Sequence, residues 1–197
     1  MMRSGALVVL VCGLLFAVSD AGGTNRPVPT PIGTGPKFHP RPLTDRVVQR
    51  KEIAGLRCTT GRDERFGVHL ELFARGLVVL VPAGIGVAPP WRTVRPQVLD
   101  GTCSYAARTR TPTGVIEIVK GTKLTLGTFF DLWGQPLGPR RLAGFSARGD
   151  QRVRAYVGGS RWNGPVRAIP LRRHAQIVLE LGPYIPPHES YLFGMGL

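Results

Sequence analysis

The sequence is poor in the residue patterns that most enzyme and metal sites require. It holds three cysteines and four histidines, without a Cys-x-x-Cys pair and without two histidines at the spacing of a helical metal site. No serine lies in a Gly-x-Ser-x-Gly nucleophile elbow, and the glycines at 84 and 86 lack the third glycine and the helix of a dinucleotide site. The 12 acidic residues are scattered, with no marked acid–base pair. These absences predict that the protein is not an enzyme.

The apolar run at residues 6–18 is shorter than the roughly 20 residues that span a bilayer. It follows a positive start at Arg3 and ends before a small-x-small cleavage pattern at residues 19–21. We therefore predict a signal peptide over residues 1–21, a secreted or extracytoplasmic, envelope-associated location, and no transmembrane span in the mature chain. A leader that is retained as an anchor is the alternative.

Cysteine is scarce, and its interpretation depends on the leader. Cys12 lies inside the apolar run, which leaves Cys58 and Cys103 in the mature chain. An even pair in an exported protein predicts a disulfide, because that compartment is oxidising. Two buried free thiols are the alternative.

Lysine is rare as well, so that arginine supplies nearly all of a formal net charge of +14. The four lysines are Lys37, Lys51, Lys120 and Lys123. A positive balance of this size attracts phosphates, acidic polymers and anionic membrane surfaces. The arginines form no block of five or six, so a solvated surface that keeps the protein soluble is the simpler explanation.

Two pairs of arginines lie two residues apart in predicted strands, so that each pair shares one strand face. Nucleic-acid recognition would need aromatic residues between the arginines, and only Tyr105 and Tyr156 qualify. Specific nucleic-acid binding is therefore not predicted. The candidate anion-binding residues are Arg108, Arg110, Arg152 and Arg154.

The chain divides into four segments. Six prolines between residues 27 and 42 exclude a helix or a central strand there, which predicts a Pro-rich flexible linker over 22–51 after the signal peptide. A β-rich globular domain follows over 52–182. Residues 183–197 form a predicted irregular C-terminal tail.

Local patterns predict the elements of that domain. Alternating apolar residues indicate a β-hairpin over 68–81 and a second strand pair over 103–120, with further strands over 152–159, 167–171 and 174–182. Aromatic residues at helical spacing predict one short helix around 125–133, between an N-cap at Thr125 and Gly134. The order predicts an α+β fold, mostly antiparallel β: a β-rich domain with one short helix.

Several segments, taken together, resemble an uncharacterised family of exported bacterial proteins. They are "GLRCTTGRDERFGVHLELFARG", "YAARTRTPTGVIEIV" after the second cysteine, "LTLGTFFDLWGQPL" and "VRAYVGG…IPLRRHAQIVLELG". The family pattern has histidine-rich strands, His-x-His-x-His-Leu and Leu-His-Thr-His…Gly-Ile-Ile-His-Ile-Glu. Imidazoles at alternating strand positions converge on one face, so the resemblance implies a copper or zinc site.

In this chain the histidine pattern is largely lost. Only His69 matches the first cluster, arginine stands at both histidine positions of the second motif, and Glu117 stands at the later one. Arginine does not coordinate metals, so we predict that Arg108 or Arg110 pairs with Glu117 instead. A partly exposed strand face is the alternative explanation of His69 and Glu71. The remaining candidate metal ligands are His69, Glu71, Glu117 and His174.

These observations predict a secreted or cell-envelope-associated, non-enzymatic basic protein: an interaction or structural domain derived from a metal-binding scaffold. One alternative is a protein that binds copper or zinc, and no other cofactor is expected. The other is a binder of anionic polymers through arginine-rich strand faces. The expected partner is an envelope protein or an anionic cell-wall polymer.

Overall fold

The computed structural model describes residues 35–40 and 49–197, which form 15 short strands and one α-helix. The predicted signal peptide and most of the predicted linker lie outside these residues. The strands are β1 (Lys37–Phe38), β2 (Arg65–Ala74), β3 (Leu77–Val79), β4 (Val87–Ala88), β5 (Arg92–Val94), β6 (Gln97–Asp100), β7 (Cys103–Ser104), β8 (Ala107–Arg108), β9 (Val115–Val119), β10 (Leu137–Gly138), β11 (Arg141–Leu142), β12 (Phe145–Ser146), β13 (Arg154–Val157), β14 (Ser160–Arg161) and β15 (Gln176–Leu181). The helix is α1 (Leu126–Trp133).

The main sheet has eight strands, with the long β2 at its centre. On one side β2 pairs antiparallel with β9 and, near its end, with β3; on the other side it pairs parallel with β15. The sheet continues through β13 and β14 beyond β15, and β8 lies beyond β9. Most pairs are antiparallel, which confirms the predicted β-rich α+β fold with one helix.

Residues 37–38 form a paired edge strand inside the predicted linker. β1 runs parallel to β3, and the backbone N–H groups of Val78 and Leu80 donate to the carbonyls of Pro36 and Phe38 at 2.9 Å. A proline-flanked segment is tolerated at a sheet edge, because its missing donors would face away from the sheet. This pairing corrects the prediction of a flexible linker for these two residues.

The helix confirms the prediction at both ends. Thr125 Oγ1 accepts a hydrogen bond from the backbone N–H of Thr128 at 3.3 Å, and Gly134 ends the helix with φ of 73°. The strand predicted over 167–171 is wrong: residues Val166–Ala168 form a 3-10 turn, and one isolated bridge joins Thr125 to Pro170. Proline has no N–H to donate, so this segment cannot extend a strand ladder.

The two faces of the main sheet differ in chemistry. Alternate side chains of each strand point to opposite sides, so one face carries aliphatic residues that pack with α1 in the core. The other face carries ionisable and amide side chains that are nonetheless buried. We call it the charged face, and its polar members on β2, β9 and β15 are Arg65, His69, Glu71, Glu117, Gln176 and Glu180.

The predicted tail, residues 183–197, has no regular secondary structure and packs on the charged face. Tyr191 stacks on the His69 ring with centroids 3.6 Å apart. Phe193 lies over Gly67, where an added Cβ would be 2.4 Å from the Phe193 ring. Glycine at this position is therefore required by the close approach of the tail, and the end of the chain shields the charged face from water.

Candidate functional site

Glu117 lies at the centre of an ion-pair cluster on the charged face. Arg108 Nε donates to Glu117 Oε2 at 2.9 Å, and Arg110 Nε donates to Oε1 at 2.6 Å. The antiparallel register of β8 and β9 places Arg108 directly opposite Glu117. The predicted pairing is confirmed, and it involves both arginines. Since each carboxylate oxygen already accepts from a guanidinium, Glu117 is held as the anion of this cluster.

Arg65 is the third cation of this region, and the sequence analysis missed it. Its guanidinium donates four hydrogen bonds, to the Ser104 hydroxyl and to the backbone carbonyls of Tyr105, Ala106 and Glu117. None of these acceptors is charged. Burial, reinforced by the nearby positive charge of Arg108, lowers the pKa of Arg65 to about 10, so it stays positive at neutral pH.

His69 makes two short contacts within the charged face. Its Nε2 lies 2.9 Å from the Thr113 carbonyl oxygen and its Nδ1 lies 2.6 Å from the side-chain amide of Gln176. Burial lowers the pKa of His69, so the ring is neutral at neutral pH and donates its single N–H to Thr113. The atom of Gln176 at 2.6 Å from Nδ1 is Oε1, which also accepts. Turning the Gln176 amide over would let its nitrogen, which has no partner among the described residues, donate to Nδ1.

Glu71 joins the tail to the sheet. Its carboxylate oxygens both lie 2.9 Å from Nδ1 of His188, and Oε1 lies 3.7 Å from Nδ1 of His69. His188 was not among the predicted site residues, because nothing in a proline-rich tail indicates which face of a distant sheet it will cover. The contact links positions that are 117 residues apart.

The four predicted metal ligands are not assembled into one site. His69 and Glu71 are neighbours, but Glu117 is held by two arginines. His174 stacks on Phe193 instead, and its Nε2 lies 2.7 Å from the Leu197 backbone oxygen. Within residues 35–40 and 49–197, no group of three or more His, Cys, Asp or Glu side chains is placed to hold a metal ion.

The four predicted anion-binding arginines also lie in different settings. Arg108 and Arg110 are bound to Glu117, as described. Arg154 donates from Nη2 to the fully buried Glu180 at 2.9 Å. Only Arg152 is exposed, where it donates to the backbone carbonyls of residues 150 and 151. They form no common anion-binding surface.

An exposed basic surface occurs instead at the small sheet of β10, β11 and β12 and the loop after it. Residues 137–152 contain four arginines and one acidic residue, Asp150. Arg75 reaches this sheet from the β2–β3 turn, donates to the Ser146 carbonyl at 2.8 Å, and lies over the Phe145 ring. Among the described residues, none of these arginines forms an ion pair with a carboxylate. We call this surface the basic patch: Arg75, Arg140, Arg141, Arg148 and Arg152.

The predicted disulfide between Cys58 and Cys103 is present, with the Cα atoms 5.5 Å apart. It fastens the segment before β2 to β7. The backbone of Thr59 and the backbone of Ser104 exchange two hydrogen bonds next to it, at 2.8 and 3.0 Å. The loop after Cys58 is therefore held at its start by the crosslink and this bridge, and at its end by the Lys120 N–H, which donates to the Glu64 carbonyl at 2.8 Å before β2 begins.

The burial of His69 predicts a specific loss of stability in acid. The unfolded chain takes up a proton at His69 as the pH falls through about 6.5, whereas the folded protein does so only at lower pH. Acid therefore favours the unfolded chain, by at most about 1.4 kcal/mol per pH unit for this one group. Urea unfolding from pH 8 to 5.5 should show that the stability difference between wild type and His69→Gln shrinks as the pH falls.

His174→Gln is the control, because it removes a solvent-exposed imidazole that also contacts the tail. A difference between wild type and His69→Gln that stays constant over this pH range would contradict a buried neutral ring. Tyr191→Phe keeps the aromatic ring that stacks on His69. If the tail stays docked in this variant, its stability should depend on pH as that of wild type does.

No helix among the described residues has the length and apolar character needed to cross a bilayer. Comparison of the chain with protein-family models, with curated proteins and with solved structures gives no match. The resemblance to histidine-rich exported proteins therefore stays a prediction.

Proposed function

We propose that this chain is an exported, non-enzymatic interaction domain whose basic patch binds an anionic polymer of the cell envelope. The observation that carries the proposal is the basic patch itself. Five exposed arginines lie on and beside one small sheet, and their hydrogen bonds go to backbone carbonyls rather than to carboxylates. Their positive charge is therefore available to a partner.

Export is supported by the disulfide and by the sequence of the first 21 residues. A crosslink between Cys58 and Cys103 persists in an oxidising compartment and is rare in a reducing one. An envelope location would bring the basic patch close to phosphate-bearing polymers, which attract such surfaces over about a Debye length.

A non-catalytic role is supported by the way the charged face is organised. Glu117, Glu180 and Glu71 are each bound by arginine or histidine, and the tail covers the face. A general base needs a carboxylate or imidazole that can reach a substrate, and these groups are bound within the protein. We infer that the Arg108–Glu117–Arg110 cluster joins β8 to β9 at positions where the resembled family has metal ligands.

Retention on a polyanion column tests the proposal. We expect R140Q/R141Q/R148Q/R152Q to elute from heparin or polyphosphate at clearly lower salt than wild type. The dependence of log K on log salt should fall by roughly 3 in slope if all four residues contact phosphates, since each contact contributes about 0.7–0.9. Arg75 is left unchanged in this variant, because it also contacts Phe145.

The matched control is R57Q/R95Q/R172Q/R173Q, which removes four exposed arginines outside the patch. Both variants lose the same net charge, so general attraction would shift them equally. Equal shifts, or a wild-type protein that is not retained at physiological salt, would refute binding through the basic patch and favour a protein partner instead.

A further inference from the structure

A polar cleft of about 280 Å³ lies beside the disulfide, away from the basic patch. One wall is the loop after Cys58, and the other is the turn between β6 and β7. It has room for far more than one water molecule, whose share of liquid volume is about 30 Å³. The charged side chains in its lining are Arg62, Asp63, Arg65, Asp100 and Arg108.

Arg65 is buried in the wall of this cleft without a carboxylate to neutralise it. It is 7% exposed, and its four hydrogen bonds all go to uncharged oxygens. Burying a guanidinium is unfavourable unless an anion and hydrogen bonds compensate the lost hydration. Within residues 35–40 and 49–197, this buried cation forms no ion pair with a carboxylate.

The carboxylates around Arg65 attract it from a distance, and none of them pairs with it directly. Asp100 is bound by Arg92, and Glu117 is shared by Arg108 and Arg110. Arg62 is exposed and forms no ion pair within the described parts of the chain, and Asp63 is the remaining acid. The side chains that line the cleft are three arginines and two carboxylates, which leaves one positive charge in excess at the cleft.

We propose that this cleft binds a phosphate or sulfate group, carried on a small molecule or at the end of a larger one. A guanidinium donates in a planar fork that matches the oxygens of such anions, and Arg62, which forms no ion pair among the described residues, can supply that fork at the cleft. The Nη groups of Arg65 are already bound to protein oxygens, so Arg65 contributes its positive charge from the wall. The site differs from the basic patch, because it is a cleft that takes one anionic group rather than a stretch of polymer.

Calorimetric titration of the disulfide-bonded mature protein with sodium phosphate, at an ionic strength held constant with sodium chloride, tests the site. We expect saturable binding by wild type, about tenfold or more weaker binding by Arg62→Gln, and none by Arg65→Gln. Arg57→Gln is the matched control, because Arg57 is an exposed arginine near the loop that does not line the cleft. It should bind like wild type.

Further titrants define the chemistry of the ligand. Sulfate should bind as phosphate does, whereas acetate should not. A sugar phosphate that binds more tightly than inorganic phosphate would show that the attached sugar also lies in the cleft. Arg65 is buried, so if Arg65→Gln does not fold, the comparison of Arg62→Gln with Arg57→Gln decides alone. Equal weakening in these two variants, or no saturable binding by wild type, would overturn the proposal.

The four-arginine patch variant separates this site from the proposed function. It should keep phosphate binding in the cleft while it loses retention on the polyanion column. If that variant loses both phosphate binding and retention on the column, the cleft is not a separate site. If it loses only retention on the column, the cleft site is intact.

Discussion

Replacing Glu117 with glutamine is expected to lower the free energy of unfolding by about 3–5 kcal/mol, the range for breaking a buried ion pair. The Glu117 side chain is 5% exposed, and its two oxygens accept from Arg108 and Arg110. Glutamine keeps the shape but removes the charge, so Arg108 and Arg110 would remain close to each other, and near Arg65, without the anion that the two share. Urea unfolding at pH 7 measures the loss.

Glu64→Gln is the control, because Glu64 is an exposed carboxylate whose ion pair with Lys120 joins the start of β2 to the end of β9 at the surface. Exposed pairs of this kind contribute little to stability, because water and salt screen them. A Glu117→Gln loss no larger than that of the control would show that the cluster is not a structural crosslink. The triple variant R108M/E117L/R110M asks whether apolar residues replace it, as they do in some proteins with buried ion pairs.

The parts of the fold that the sequence predicted are those that depend on neighbouring residues. The alternation of Val68, Leu70 and Leu72 placed them together on one face, and all three are in the core. The helix ends at Thr125 and Gly134 follow from a side-chain cap and a positive φ, which are also local. The Arg108–Glu117 pair was predictable because it spans a single hairpin and nine positions.

The burial of the charged face could not be predicted in this way. His69 and Glu71 alternate with aliphatic residues, which is the usual pattern of a strand with one solvated face. A partly exposed strand face was accordingly the alternative explanation of these two residues. The face is buried because the tail, which has no periodic pattern, places Tyr191 and His188 on it. Contacts over more than 100 residues leave no trace in local sequence.

The four predicted metal ligands are separated for a related reason. A strand face brings His69 and Glu71 together, as alternation requires, but the tail and Thr113 supply their actual partners. The register of β9 brings Glu117 to arginines rather than to histidine. His174 was placed by alternation in β15, yet that strand begins two residues later and the ring turns to the tail.

Removal of the disulfide should cost about 4 kcal/mol, the chain-entropy value for a loop that closes over a sequence separation of 45 residues. The double variant C58A/C103A avoids a buried serine hydroxyl, since Cys103 is 9% exposed. Equilibrium unfolding of this variant should have a lower midpoint, and wild type treated with a reductant should approach it. A loss under about 1 kcal/mol would contradict the calculation.

The loss of stability in C58A/C103A should not be uniform over the structure. The ladder between β2 and β9 pairs five residues on each strand, whereas the loop after Cys58 is held by the crosslink and the Thr59–Ser104 bridge. Amide hydrogen exchange in C58A/C103A should therefore rise first at residues 59–63 and remain slow in β2. Because these residues form one wall of the cleft, phosphate binding should weaken in this variant at urea concentrations where the sheet is still folded.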